Sequence, residues 1–441
     1  MNKVISKSLI LLVLSLIVLA GCNKNSKNDN SNNQTDAENL QGDWHGNIDV
    51  PNQPLPIQVT FGNEDHLNGK ISIPIQGVSD YPLSKVKLDD GEILFAMDVQ
   101  GELVTFDGEV EQDKIEGSFE QHGQTFPFEL EKGKVASEDD EDNNNLLTVE
   151  TERGKIYGEL EIPEQSGEAP YPVMIIIPGS GPTDRNGNTL AGDNNSLKYL
   201  SEELAERGVA SIRYDKPGAG KNTDIKIPEE EITFDQFVED AVAWIDLAEK
   251  DDRFTEIGII GHSQGSLEGI LAAQEEDIDV FISLAGVGNS IDKTLYNQLE
   301  EQLPENLLNE SEEIIAQLKK GHMVDELSPE LEGMFHKSVQ PFLISWMAYE
   351  PAEELKKLSS PTLIINGTRD LQTPEHEAEL LHEASDASEF LLIEKMNHVL
   401  KEAPTDREGN LKTYTNPDLP LADGLIEGIA EFLINEGFIK Q

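Results

Sequence analysis

The sequence predicts an α/β fold: a mostly parallel sheet with helices on both faces and an inserted helical lid, preceded by a small antiparallel all-β barrel or sandwich. Three observations predict it. Between residues 40 and 134, short runs alternate apolar and polar residues and are separated by turn signals. Beyond residue 146, apolar runs of strand length alternate with stretches of helical spacing. Finally, about 75 residues separate two of those apolar runs, too many for a plain crossover, and they carry helical spacing of their own.

At the N-terminus Lys3 and Lys7 precede a stretch, 9–20, that is apolar but for Ser15, and Leu19-Ala20-Gly21-Cys22 follows. The stretch is too short to span a bilayer, so 1–21 reads as a signal peptide. The four boundary residues resemble the lipobox of bacterial lipoproteins. That resemblance implies cleavage before Cys22, lipidation of its thiol, and attachment to the extracytoplasmic face of the cell membrane through lipid alone. Cys22 is the single cysteine of the chain, which excludes an intrachain disulfide and a cysteine metal site. Residues 22–39 are almost entirely Asn, Ser, Asp and Lys and read as a tether with nothing to bury.

The all-β domain spans 40–134. Its period-two runs lie at 57–61, 70–73, 92–95, 103–106, 114–119 and 125–130, with turn signals at Asp89-Asp90-Gly91, Glu111-Gln112-Asp113 and His122-Gly123. Its aromatic residues, among them Trp44, Phe61, Phe95, Phe106 and Phe128, suit a packed core better than the wall of a ligand site. No catalysis is assigned to this domain. Residues 135–146 form an acidic linker whose like charges keep it solvated.

From 147 to 441 the chain reads strand at 171–177, helix at 197–207, strand at 209–214, helix at 233–247 and strand at 256–260. It continues with a helix after Gly265, strands at 280–284 and 361–366, a helix at 375–384, a strand at 389–393 and a closing helix near 421–434. Gly261-His262-Ser263-Gln264-Gly265 follows the strand at 256–260 and opens directly into a helix. Glycines at both ends let the backbone turn sharply, lifting the Ser263 hydroxyl to the carboxyl edge of the sheet as a nucleophile. A serine hydroxyl needs a base, and the base needs an orienting carboxylate. Asp370 follows one strand in Gly367-Thr368-Arg369-Asp370, and His398 follows the next in Lys395-Met396-Asn397-His398. The order Ser263, Asp370, His398 puts all three at one edge, with His398 as general base and then acid.

Over about residues 146 to 441 the chain resembles the α/β-hydrolase family, in particular its lipoprotein and esterase-like members. The resemblance is carried by Pro178-Gly179-Ser180-Gly181-Pro182, Tyr214-Asp215-Lys216-Pro217-Gly218-Ala219-Gly220, Gly261 to Gly265, Gly367 to Asp370 and Met396-Asn397-His398. It implies acyl hydrolysis through an acyl-enzyme on Ser263, without metal or organic cofactor. Where many relatives have His-Gly after the third strand, this chain has Pro178-Gly179. An acyl-transfer site also needs N–H donors for the developing oxyanion. One is expected from Gln264 at the helix start, where the dipole favours an anion. The other, by matching position, comes from Ser180, with Gly181 as its neighbour.

Several other readings are weaker. Asp184-Arg185-Asn186-Gly187-Asn188 resembles the start of a calcium loop, but Thr189 and Asn195 stand where glycine and a bidentate acid belong. Gly218-Ala219-Gly220-Lys221 lacks the first glycine and the hydroxyl residue of a phosphate loop. With 85 acidic against 33 basic residues and a formal charge of -52, the chain repels phosphate backbones, which argues against nucleic-acid binding. In the lid, about 288–358, Met334, Phe335, Phe342, Trp346 and Met347 suit either a substrate pocket or the lid's own core. The expected function is hydrolysis of carboxylic esters with small or medium acyl groups. Two alternatives stand beside it: a serine peptidase, with Glu350, Glu353 or Glu354 holding a substrate's amino terminus, and a non-catalytic cell-surface binding lipoprotein.

Overall fold

A computed structural model describes residues 40–439 apart from stretches at 51–54, 64–66, 74–77, 90, 100–101, 122–123, 134–144, 164–168, 190–191, 224, 226 and 301–302. The signal peptide, Cys22, the tether and most of the acidic linker lie outside the described residues. The chain divides into two compact units, at Glu141 and Asp142.

Among its described residues the first unit holds nine strands: β1 (Gly42–Ile48), β2 (Leu55–Asn63), β3 (Leu67–Ile73), β4 (Val78–Pro82), β5 (Lys85–Asp89), β6 (Glu92–Val99), β7 (Glu102–Glu111), β8 (Lys114–Gln121) and β9 (Gln124–Lys132). They form one antiparallel sheet in the order β4-β3-β2-β1-β9-β8-β7-β6-β5, which corrects the sandwich alternative. The edge strands β4 and β5 are joined by Leu83 and Ser84 alone. Leu83 N–H donates to Gly69 on β3, and Ser84 N–H donates to Ala96 on β6. The sheet therefore rolls until its two edges meet at that corner, as an open barrel. Phe61, Phe95, Phe106 and Phe128 are buried inside, with Phe95 and Phe106 stacked at 4.5 Å, so these rings pack the core.

The second unit begins with a hairpin the sequence reading lacked, β10 (Leu146–Thr151) and β11 (Gly154–Glu161). The parallel strands follow as β12 (Tyr171–Ile177), β13 (Ala210–Tyr214), β14 (Phe254–His262), β15 (Val280–Leu284), β16 (Thr362–Gly367) and β17 (Ser388–Ile393). Between and after them run helices α1 (Ser196–Glu206), α2 (Phe234–Glu249), α3 (Gln264–Glu275), α4 (Ile291–Glu300), α5 (Glu305–Leu318), α6 (Glu332–Phe335), α7 (Gln340–Trp346), α8 (Pro351–Leu355), α9 (Glu375–Ala384), α10 (Arg407–Lys412) and α11 (Leu425–Asn435). The sheet order is β10-β11-β13-β12-β14-β15-β16-β17; β11 is antiparallel to β10 and β13, and the other pairings are parallel.

Because β12 is covered on both faces, its residues 173–177 form an unbroken apolar run rather than an alternating one. Val173, Ile175 and Ile177 pack with Phe234, Trp244 and Ile245 of α2. Met174 and Ile176 pack with Leu197, Leu200 and Leu204 of α1 and Ile429 and Phe432 of α11. The register pairs Ile177 with Gly261 and His262 with Leu284, which gathers the carboxyl ends of the central strands at one edge. An α/β sheet binds ligands at that edge.

The inserted segment is helical. Leu318, Phe335, Leu343 and Met347 form its own apolar cluster, with Met334 packed against it. Trp346 stacks on Phe234 at 5.5 Å and Phe342 meets Phe237 edge-on, so α7 is pinned to α2. The five residues considered for a substrate pocket are instead the lid's core and its attachment.

Candidate active site

The turn after β14 is tight because nothing but glycine fits its ends. A Cβ on Gly261 would lie 2.3 Å from the Gly265 carbonyl oxygen, and one on Gly265 would lie 2.5 Å from that of Ile177. Between them Ser263 sits at φ 55°, ψ -122°, a strained conformation for a residue with a side chain.

Ser263 Oγ lies 3.1 Å from His398 Nε2, and His398 Nδ1 donates to Asp370 Oδ2 at 2.8 Å. Asp370 sits in the turn after β16, where its Oδ1 accepts the N–H groups of Gln372 and Thr373, both at 2.8 Å. Its side chain is fully buried. His398 sits on the loop after β17. Asn397, completely buried beside it, donates to Asn410 Oδ1 at 3.0 Å and Thr413 Oγ1 at 2.6 Å, tying that loop to α10 and the turn after it.

His262 bonds beneath the elbow and holds the same loop from the other side. Its Nε2 lies 2.8 Å from the backbone oxygen of His398, so a neutral ring with its proton there donates to it. Burial, and next the neighbouring His398, push the His262 ring down to about 4. Between that value and roughly 6.5 the unfolded chain binds a proton that the folded chain does not, so this residue's contribution to stability falls as pH falls through that window. Relative to His262→Asn, which cannot titrate there, the parent should lose about 3 kcal/mol of stability between pH 7 and pH 4 in urea unfolding. A stability difference that is flat over that range would mean that His262 is not held neutral.

Gln264 is the first residue of α3, where its N–H has no acceptor within the helix. Ser180 lies on the loop after β12, whose Gly179 touches the elbow: a Cβ there would stand 3.3 Å from Ser263 Cβ and from His262 Nδ1. Ser263, Asp370 and His398 are thus brought into one hydrogen-bonded chain, and the two oxyanion candidates stand on the segments flanking Ser263. Lys216 and Glu268 are buried behind those segments; the sequence assigns no role to either, Lys216 standing only within the Tyr214 to Gly220 segment.

The Tyr-Asp-Lys segment is structural at Asp215, which takes Arg185 in a fork at 2.5 to 3.2 Å and the N–H of Lys221 at 3.0 Å. Asp184 closes its own loop by accepting the N–H groups of Asn186 and Asn188, both at 2.8 Å. Among the described residues the group with metal-ligand spacing is Asp246, Glu249 and Glu276, partly exposed acids that take no part in this site.

Strand order, elbow and the Ser263–His398–Asp370 contacts set a nucleophile, a base and an orienting carboxylate at the carboxyl edge of a mostly parallel sheet. A family model described as serine aminopeptidase, S33, matches residues 191–328, a segment that contains Ser263 and Gln264 and ends before Asp370 and His398. Esterase EstD of Thermotoga maritima is 26% identical over 318 residues, covering 71% of each chain. Among solved structures, Est1E from Butyrivibrio proteoclasticus is similar at 20% identity and a TM-score of 0.43, over 66% of this chain and 99% of that one. A thermophilic esterase from Thermogutta terrifontis is similar at 14% identity and a TM-score of 0.40, over 66% and 98%.

Proposed function

We propose that this protein is a serine hydrolase that cleaves carboxylic esters of small or medium acyl groups, held by lipid on Cys22 at the extracytoplasmic face of a membrane. The observation that carries the reading is the continuous contact from Ser263 through His398 to Asp370 at the carboxyl edge of the sheet. His398 Nε2 takes the Ser263 proton as Oγ attacks the ester carbonyl. The negative charge that develops on the carbonyl oxygen is met by the N–H groups of Gln264 and Ser180. His398 then gives its proton to the departing alcohol, and water enters by the same route to release the acid and restore Ser263. Every proton in this sequence has a donor and an acceptor among these groups and water, so the chemistry requires no cofactor.

The matched family's description keeps the peptidase reading in view. The lid carboxylates invoked for it are already engaged: Glu350 with Lys293 and Lys319 at 2.9 Å each, Glu353 with Lys356 at 2.5 Å, and Glu354 with Lys357. Burial opposes ionisation of Glu350, but the hydrogen bonds from Lys319, Lys293 and Ser290 outweigh it and hold the carboxyl down at about 2. A carboxylate so occupied is a poor receptor for an amino terminus. Parallel assays on p-nitrophenyl acyl esters and on aminoacyl or prolyl p-nitroanilides should show turnover of the esters and little of the anilides. The reverse preference would establish the peptidase. A protein that neither turns over ester nor labels with a fluorophosphonate probe would be a binding lipoprotein.

Anchoring has its own test. Among the described residues no helix is long and apolar enough to cross a membrane. Cys22→Ser is expected to move the protein from the detergent phase and membrane pellet into the medium; unchanged partitioning would sink the lipid anchor.

A further inference from the structure

The loop after β12 and the start of α3, which carry the two oxyanion donors, share one buried charge pair. Lys216 Nζ donates to Glu268 Oε1 at 2.7 Å and to the Gly179 carbonyl oxygen at 2.8 Å. The same Glu268 oxygen accepts Gln264 Nε2 at 2.6 Å. Lys216 is 1% exposed and Glu268 fully buried, so water does not compete for these bonds. The next carbonyls of the loop are held too: Thr183 Oγ1 donates to Ser180 O and Thr183 N–H to Gly181 O, both at 2.9 Å.

The Gly179 carbonyl and the Ser180 N–H belong to one peptide group. A trans peptide is planar, with its N–H pointing opposite its C=O. With the Gly179 carbonyl held by the buried Lys216 ammonium, the Ser180 N–H must point the opposite way, away from Lys216, in a loop whose Gly179 lies against Ser263. Were that peptide to flip, it would present a carbonyl where the oxyanion forms, replacing attraction with repulsion. Glycine at 179 makes such a flip easy in backbone terms, because it has no Cβ to restrict φ and ψ.

We infer that Lys216, with Glu268 as its counter-ion, is a positioning residue that locks the Gly179–Ser180 peptide and so sets one of the two oxyanion donors. The inference rests on the serine-hydrolase reading above. Lys216→Met alone would leave Glu268 charged and unpartnered by a cation, a destabilising change. The informative variant is therefore Lys216→Met with Glu268→Gln, which buries no unpaired charge and keeps the side-chain volumes. Its kcat for p-nitrophenyl acetate should fall on the order of 10²-fold with KM within about twofold of the parent, because the lost donor acts in the transition state. Inhibition by a phenylboronic acid, whose tetrahedral serine adduct occupies the oxyanion position, should weaken by about the same factor. A double variant with parental kcat and boronate affinity overturns the assignment, as does a rise in KM at unchanged kcat. A parent that hydrolyses no ester would instead count against the function, which separates the two failures.

Discussion

Ser263→Ala and His398→Ala are each expected to lower kcat toward p-nitrophenyl esters by on the order of 10⁴ or more, and the double variant by little beyond either. The reason is geometric. In the proposed mechanism Ser263 Oγ attacks as its proton passes to His398 Nε2, 3.1 Å away, so removing either end of that contact removes the same step. What survives is stabilisation by backbone N–H groups that neither substitution touches. Fold should survive as well, since both changes shorten side chains at the edge of the sheet and leave the glycines of the turn in place. Steady-state rates on the three variants, with melting curves as the check on fold, decide it. Additive losses, or a Ser263→Ala protein that turns over ester at near the parental rate, would show that the turn is structural and another group carries the reaction.

The parts of this site that are legible in the sequence are those where backbone geometry forces a residue type. The parallel strands announce themselves because both faces are covered, so Val173 to Ile177 cannot alternate. The elbow is legible because Gly261 and Gly265 have no room for a Cβ. Asp370 and His398 follow strand ends, where the topology must bring them to the same edge. The buried pair behind the oxyanion loop is not legible in the same way: Lys216 and Glu268 lie 52 positions apart, and charged residues in a sequence this acidic read as surface. Nothing short of the fold reveals that two such residues are inside. The lid misleads for the opposite reason. Phe342 and Trp346 are large apolar groups near a suspected site, and spacing alone does not tell a ring that meets substrate from one that stacks on Phe234. At the N-terminal end of the second sheet, the alternation of Ile156, Gly158 and Leu160 is a true strand signal, but it lies next to an acidic linker and ahead of the first long apolar run at 171–177, and so is passed over.

Asp370→Asn tests the remaining member of the chain, and its expected loss is on the order of 10⁴ in kcat with the fold unchanged. The amide is nearly the same shape as the carboxylate, so packing is not the issue. What matters is which way it must face. Oδ1 of Asp370 accepts two backbone N–H groups, from Gln372 and Thr373, at 2.8 Å each. An asparagine can satisfy both only by placing its carbonyl oxygen there, which turns its NH₂ toward His398 Nδ1. A nitrogen that faces a donor must be the acceptor, so the ring proton moves to Nε2, the atom that has to receive the Ser263 proton. The imidazole is then in place but in the wrong tautomer. Flipping the amide would restore the tautomer but leave both backbone N–H donors facing an NH₂ group instead of an acceptor. Fluorophosphonate labelling of Ser263 should slow in step with ester turnover, while the melting temperature stays near that of the parent. If Asp370→Asn instead hydrolysed ester within about tenfold of the parental rate, the proton on His398 would be governed by something other than Asp370, and the carboxylate would have only a structural role in the turn after β16.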